Sequence, residues 1–239
     1  MASARHGLGV LAALLAATAP AAVRAQPGAD QVWINWASSS SEAVVTWSTL
    51  DASLSTNVTQ LWAQWSYNET TLSAGAGTET AYASLARYAT PPGGKGIFGT
   101  LPAYTSGIFH RVTLTGVACA TRVFFRVGSS GGGWSAIHSF TSHPGVGAHV
   151  PVRLLVLADL EVDCYESATG KVCNPSSVRS AITTPARDWA GLGSINAGAI
   201  ILGDLSYANG NQSHWDLWHS TFSRDIASKM AVQANAGNQ

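Results

Sequence analysis

The hydrophobic pattern of this chain changes period once, and that change limits the fold more than any other feature. From about residue 29 to 141, short segments are separated by Gly, Ser, Thr and Pro: 31–36, 42–47, 60–65, 108–115, 122–127 and 134–140. Each is rich in β-branched and aromatic residues, and no helical period lies between them. Such a series predicts an all-β sandwich of the immunoglobulin or fibronectin type III kind. After the Gly/Pro-punctuated linker His143–His149 the runs become continuous. Val152–Ala158, broken only by Arg153, and Ala197–Leu202 read as strands buried on both faces of a parallel sheet. Ser176–Trp189 reads as a helix with Pro185 kinking it.

A second helix is expected to open at Ser213, with Asp216 completing a capping-box-like start and Trp215, Trp218, Phe222 and Ile226 on its core side. Ala231–Asn235 would be a third, weaker strand, left at an exposed sheet edge. Strand, helix, strand, helix, strand is the start of an α/β domain, and an incomplete one. The expected organisation is therefore a leader over 1–25, a sandwich over 29–141, a linker over 142–150 and a partial α/β domain over 151–239.

Charge removes several function classes. Of the 239 residues 11% are charged, with 13 basic and 13 acidic side chains, against roughly 25% charged in an average soluble protein. Nucleic-acid binding by phosphate neutralisation needs clustered Lys and Arg, and a coiled coil needs far more Glu and Lys. Arg5 and His6, the apolar run Leu8–Ala17, Pro20 and the small residues Val23 and Ala25 form a secretory signal peptide cleaved after Ala25. The run is too short to span a bilayer, so no membrane span is expected and the mature chain is secreted or lumenal.

That compartment changes how the three cysteines read. Cys164 and Cys173 lie in a polar segment where a small disulfide-closed loop fits, leaving Cys119 over, either buried or paired with another chain. Asn57-Val-Thr59, Asn68-Glu-Thr70 and Asn211-Gln-Ser213 are glycosylation sequons.

The chemistry lies where the buried strands end. Asp159 follows the first, Gly203-Asp204 the second and Gly237-Asn238 the third. In an open parallel sheet these ends converge on one crevice, so two carboxylates, an amide carbonyl and the Tyr207 phenol share a pocket. Hard oxygen donors of this kind suit Fe(III), Mn, Mg or Zn.

The block Val152–Leu160, the block Gly203–Ala208 and the Trp-rich helix leading to Gly-Asn resemble the purple acid phosphatases. The sandwich segments 106–116, 122–128 and 134–140 are similar to that family's N-terminal fibronectin-like domain. The resemblance implies a dinuclear metal site hydrolysing phosphoric monoesters in acid. It makes Asp159 and Tyr207 ligands of Fe(III), Asp204 the bridge to a divalent Fe, Zn or Mn ion, and Asn238 a ligand of that second ion.

Two positions depart from the family pattern. Glu161 stands where the family has Gly, and is expected to face solvent with Asp163 and Glu166. Gln239 stands where the family has a His that contacts phosphate and can protonate the leaving group, which leaves no catalytic acid at that position. None of the seven His matches the family's later metal-ligating motifs, and His214 and His219 read as packing residues. The chain is thus expected to be an N-terminal piece, weakly active or inactive alone. The competing readings are a secreted non-catalytic protein that binds through its sandwich, and another metallophosphoesterase.

Overall fold

The structure, a computed structural model, describes residues 29–49, 62–81, 84–96, 99–129, 133–161, 163–167, 170–174, 197–208 and 210–237. The leader, Asn57, the helix expected over 176–189, Asn238 and Gln239 lie outside those residues.

The strands follow in chain order as β1 (Asp30–Trp36), β2 (Glu42–Thr49), β3 (Trp62–Ser66), β4 (Thr78–Ala81) and β5 (Ser84–Ala86). The short strands β6 (Ala89–Thr90), β7 (Lys95–Gly96), β8 (Gly99–Thr100) and β9 (Tyr104–Thr105) lead to β10 (Ile108–Thr115) and β11 (Arg122–Ser129). Then come β12 (Gly133–Trp134), β13 (His138–Thr141), β14 (Arg153–Leu157), β15 (Asp163–Ser167), β16 (Gly170–Asn174), β17 (Ala197–Ile201) and β18 (Ala231–Ala234). Two described α-helices are α1 (Glu69–Ser73) and α2 (Gln212–Phe222), the latter running into a π-helical turn over Ser223–Ala227.

The expected sandwich is present. One of its faces belongs to a seven-stranded sheet ordered β14-β17-β18-β1-β2-β10-β5, the other to a sheet ordered β12-β11-β3-β4 with β13 also on β11. Along β10 the buried residues Ile108, His110, Val112 and Leu114 alternate with more exposed ones, the period of a half-buried strand. They meet Ile34, Val45, Trp47, Val123, Phe125, Val127 and Phe140 to form the sandwich core, apart from Ile108 and His110, which lie beyond that cluster. The segment 134–140 is two strands instead of one. Ser135 accepts the Val127 N–H through its hydroxyl (3.0 Å) and donates its own N–H to Val127 (2.8 Å), which ends β12. The register on β11 then moves by one residue before β13 begins.

The parallel part corrects three expectations. First, β18 is no edge: it lies between β17 and β1, parallel to both. A sheet leaves fewer unpaired backbone groups when two strand sets merge, and here the parallel set merges with the sandwich. Second, β14 is the edge instead, and is buried on one face only. Leu155 is 8% exposed, whereas Val152, Leu154, Val156 and Leu202 are exposed. Leu155 faces α2, whose Trp218, Phe222 and following Ile226 form a second core with Ala199, Ile201, Val232 and Trp33. Third, the cap of α2 is Asn211, not Ser213: the Asn211 side-chain oxygen accepts from the Ser213 N–H at 3.1 Å. Asp216 is thereby released to meet the sandwich, accepting from the Tyr104 hydroxyl (2.7 Å) and the Gln31 amide (3.3 Å).

Candidate metal centre

β14 and β17 run side by side to Leu157 and Ile201, and the ladder continues into the loops beyond them. Leu202 N–H donates to Leu157 C=O (2.8 Å), Asp159 N–H to Gly203 C=O (3.3 Å) and Leu160 N–H to Asp204 C=O (3.1 Å). The loop after β18 joins the same set, with Asn235 N–H on Ile201 C=O (3.0 Å) and Asp204 N–H on Ala236 C=O (3.3 Å). Three strand ends are thus tied into one ledge by backbone bonds.

Two glycines let those backbones touch. Gly203 and Gly237 have φ of +140° and +74°. A Cβ on Gly203 would lie 2.7 Å from the Gly237 Cα, and one on Gly237 would overlap the Asp204 backbone nitrogen and carboxylate.

On this ledge the side chains of Asp159, Asp204 and Tyr207 come together. The Tyr207 hydroxyl donates to Asp159 Oδ1 at 2.6 Å and lies 3.2 Å from Asp204 Oδ2. All three residues have left-handed backbone, with φ of 54°, 50° and 48°. Such a conformation costs a non-glycine residue about 1–3 kcal/mol and persists where surrounding bonds over-determine it. The hydrogen bond to Asp159 is the leading cause that holds the Tyr207 phenol above its ordinary ionisation range, with desolvation and Asp204 adding to it. A proton therefore sits where two carboxylates and a phenol converge. A cation among the same oxygens would replace that proton and reverse the preference, because a coordinated phenol ionises. The donor set fits a hard ion. Among the described residues no group of three or more His, Cys, Asp or Glu could by itself hold a metal ion.

Glu161 is exposed, and its N–H donates to the Asp159 carbonyl at 3.0 Å. His214 is buried beside Asn211, and His219 is packed among Trp33, Trp215 and Trp218. Sequence reasoning took Trp218 as core only. Its indole N–H also donates to the Leu160 carbonyl at 2.7 Å, anchoring the loop that carries Asp159. A buried Trp whose N–H needs an acceptor was the available signal. Asn68 caps α1 as Asn211 caps α2. Cys164 and Cys173 face each other in the register of β15 and β16, and Cys119 is an exposed free thiol.

The architecture is a β-sandwich merged with parallel strands whose ends gather two carboxylates and a phenol. Residues 29–142 match the family described as "Purple acid Phosphatase, N-terminal domain". The solved structure of the purple acid phosphatase PPD1 from yellow lupin (Lupinus luteus) seeds matches at a TM-score of 0.66 and 18% identity over 89% of this chain. A structure of PhoD matches at a TM-score of 0.45 and 11% identity, over 85% of this chain and 38% of that one. Residues 29–142, just under half of the chain, are thus similar to the N-terminal domain of the purple acid phosphatases. It spans 35% of the length of the lupin protein. No helix among the described residues is long and apolar enough to cross a membrane.

Proposed function

We propose that this protein is an acid phosphatase of the purple acid phosphatase type, acting on phosphoric monoesters with a dinuclear centre. Residues 151–239 are then the opening of a calcineurin-like metallophosphoesterase domain, joined to the sandwich by 142–150. Asp159 and Tyr207 would hold Fe(III), Asp204 would be shared between it and a divalent Fe, Zn or Mn ion, and Asn238 would bind that second ion. The observation that carries this reading is the Tyr207 hydroxyl lying within hydrogen-bond reach of both carboxylates.

Paired cations at such a site supply Lewis-acid polarisation of the phosphoryl group and an activated water. The chain's own part is placement and charge. Asp159 and Asp204 offset cationic charge from fixed backbone positions, and the close contact of Gly203 with Gly237 brings the third strand end onto the same ledge. Gln239 can donate a hydrogen bond to phosphate but has no proton to transfer, so a leaving alkoxide must be protonated from elsewhere. Turnover by this chain alone is therefore expected to be weak. The leader places the protein in the secretory pathway.

Titrating the secreted chain with Fe(III) and recording its visible spectrum tests the reading. A tyrosinate charge-transfer band should appear, and Tyr207→Phe should abolish it while weakening iron binding by at least ~10-fold, the loss that even outer-shell partners cause. A band of equal strength in Tyr207→Phe would overturn the ligand assignment. Absence of both iron uptake and any band in the parent chain would shift function to the sandwich, as in a secreted non-catalytic binder.

A further inference from the structure

The phosphatase reading makes no use of Cys164 and Cys173. The hairpin of β15 and β16 pairs Ser167 with Gly170, leaving a two-residue loop. That closing pair must exchange hydrogen bonds. A non-hydrogen-bonded pair there would require the two adjacent loop residues to bond each other. Pair types alternate outward along an antiparallel ladder. Glu166 and Lys171 are therefore a non-hydrogen-bonded pair, Tyr165 and Val172 a hydrogen-bonded one, and Cys164 and Cys173 again a non-hydrogen-bonded one. Such pairs bring Cα atoms to about 4.5 Å and their Cβ atoms closer than hydrogen-bonded pairs do. The separation falls within the roughly 4.4–6.8 Å that a disulfide spans.

We propose that Cys164 and Cys173 are joined by a disulfide across this hairpin, formed in the secretory compartment by a dithiol–disulfide oxidant. One cysteine thiolate attacks the oxidant's disulfide and displaces one of its sulfurs; the second cysteine thiolate then displaces the other. The S–S bond forms with loss of two protons and two electrons from the chain, and the oxidant leaves as its dithiol. Cys119 is the thiol left over, exposed in the turn between β10 and β11. The hairpin begins at Asp163, four positions after Asp159. The bond thus fixes where the chain returns after leaving the candidate metal centre, whether or not that centre binds iron.

The test is a tryptic map of the full chain secreted through its own leader, with free thiols alkylated in denaturant before any reduction. Trypsin cuts after Arg153, Lys171 and Arg179, so Leu154–Lys171 and Val172–Arg179 each carry one cysteine of the pair. The expected result is one alkylated thiol, Cys119, and those two peptides recovered as a single linked species that reduction separates. Cys119→Ala should leave no free thiol and the same linked species, and Cys164→Ala should expose Cys173 to alkylation. Alkylation of all three cysteines, or a link joining Cys119 to either peptide, would overturn the proposal.

Discussion

Asp159, Asp204 and Tyr207 hold a backbone conformation that their residue types avoid, and the two glycines beside them hold conformations only glycine takes easily. That contrast separates what local chemistry requires from what the site imposes. The positions of the two Asp and the Tyr were readable from the sequence, because each follows a recognisable buried strand. Their left-handed backbone was not, because it is enforced by bonds from neighbouring loops distant in the chain. The sequons show the same split. Asn68 is exposed and spends only its side-chain oxygen on the cap of α1, leaving its amide nitrogen for a glycan. In Asn211 the oxygen caps α2 and the amide nitrogen lies 3.2 Å from His214 Nε2. A glycan on that nitrogen would have to break the contact with a buried histidine. Peptide mapping of the secreted protein should therefore find Asn68 glycosylated and Asn211 bare; an occupied Asn211 in folded protein would contradict the argument.

At the scale of elements, α2 is the piece that converts the strand ends into a supported ledge. Its apolar spacing was legible, since Trp218, Phe222 and Ile226 recur on one face. Its start was not, because Asn211 and Ser213 are both good caps and only the loop before them decides between them. The helix also packs the half-buried His219 among three Trp rings at centroid distances of 5.5, 5.9 and 5.1 Å, and the loss of solvent lowers its ionisation to about 4. In the sandwich, burial likewise lowers His110 and His138 to about 4. Unfolded histidines take up protons near pH ~6.5, so between there and about 4 the unfolded chain binds more protons than the folded one. Stability contributed by neutral, buried histidines is present above pH ~6.5, is lost as pH falls toward about 4, and changes no further below it. For His219 the loss should amount to about 2–3 kcal/mol. Urea midpoints at pH 7.5 and 4.5 check this: the parent should be less stable in acid, and His219→Gln should show a smaller difference. An equal difference in the two proteins would remove His219 as a cause.

The whole molecule is organised by one sheet that runs from β14 to β5 through the junction of β18 with β1. Side chains reinforce that junction: Ser223 donates to the Val32 carbonyl (2.8 Å), Ser220 to Asp30 (2.8 Å) and Tyr88 to Gln212 (3.0 Å), beside the Tyr104–Asp216 bond. A sheet that shares its hydrogen bonds and core between both parts should unfold as one unit. Far-UV circular dichroism and Trp fluorescence should give coincident transitions, and two separated midpoints would show independent domains. Gly198 offers a sharper probe, because a Cβ there would lie 2.5 Å from the Trp36 ring that packs across β17. Gly198→Ala should cost about 1–3 kcal/mol by overpacking while keeping a single transition. The sequence by itself determined the two strand periods, the sandwich, and which residues stand at the strand ends, because these follow from local spacing of side chains. Only the tertiary structure decided that the third parallel strand is interior, that Trp218 holds the Asp159 loop, and that one phenol reaches both carboxylates. Those are contacts between segments up to about two hundred residues apart, which no local pattern encodes.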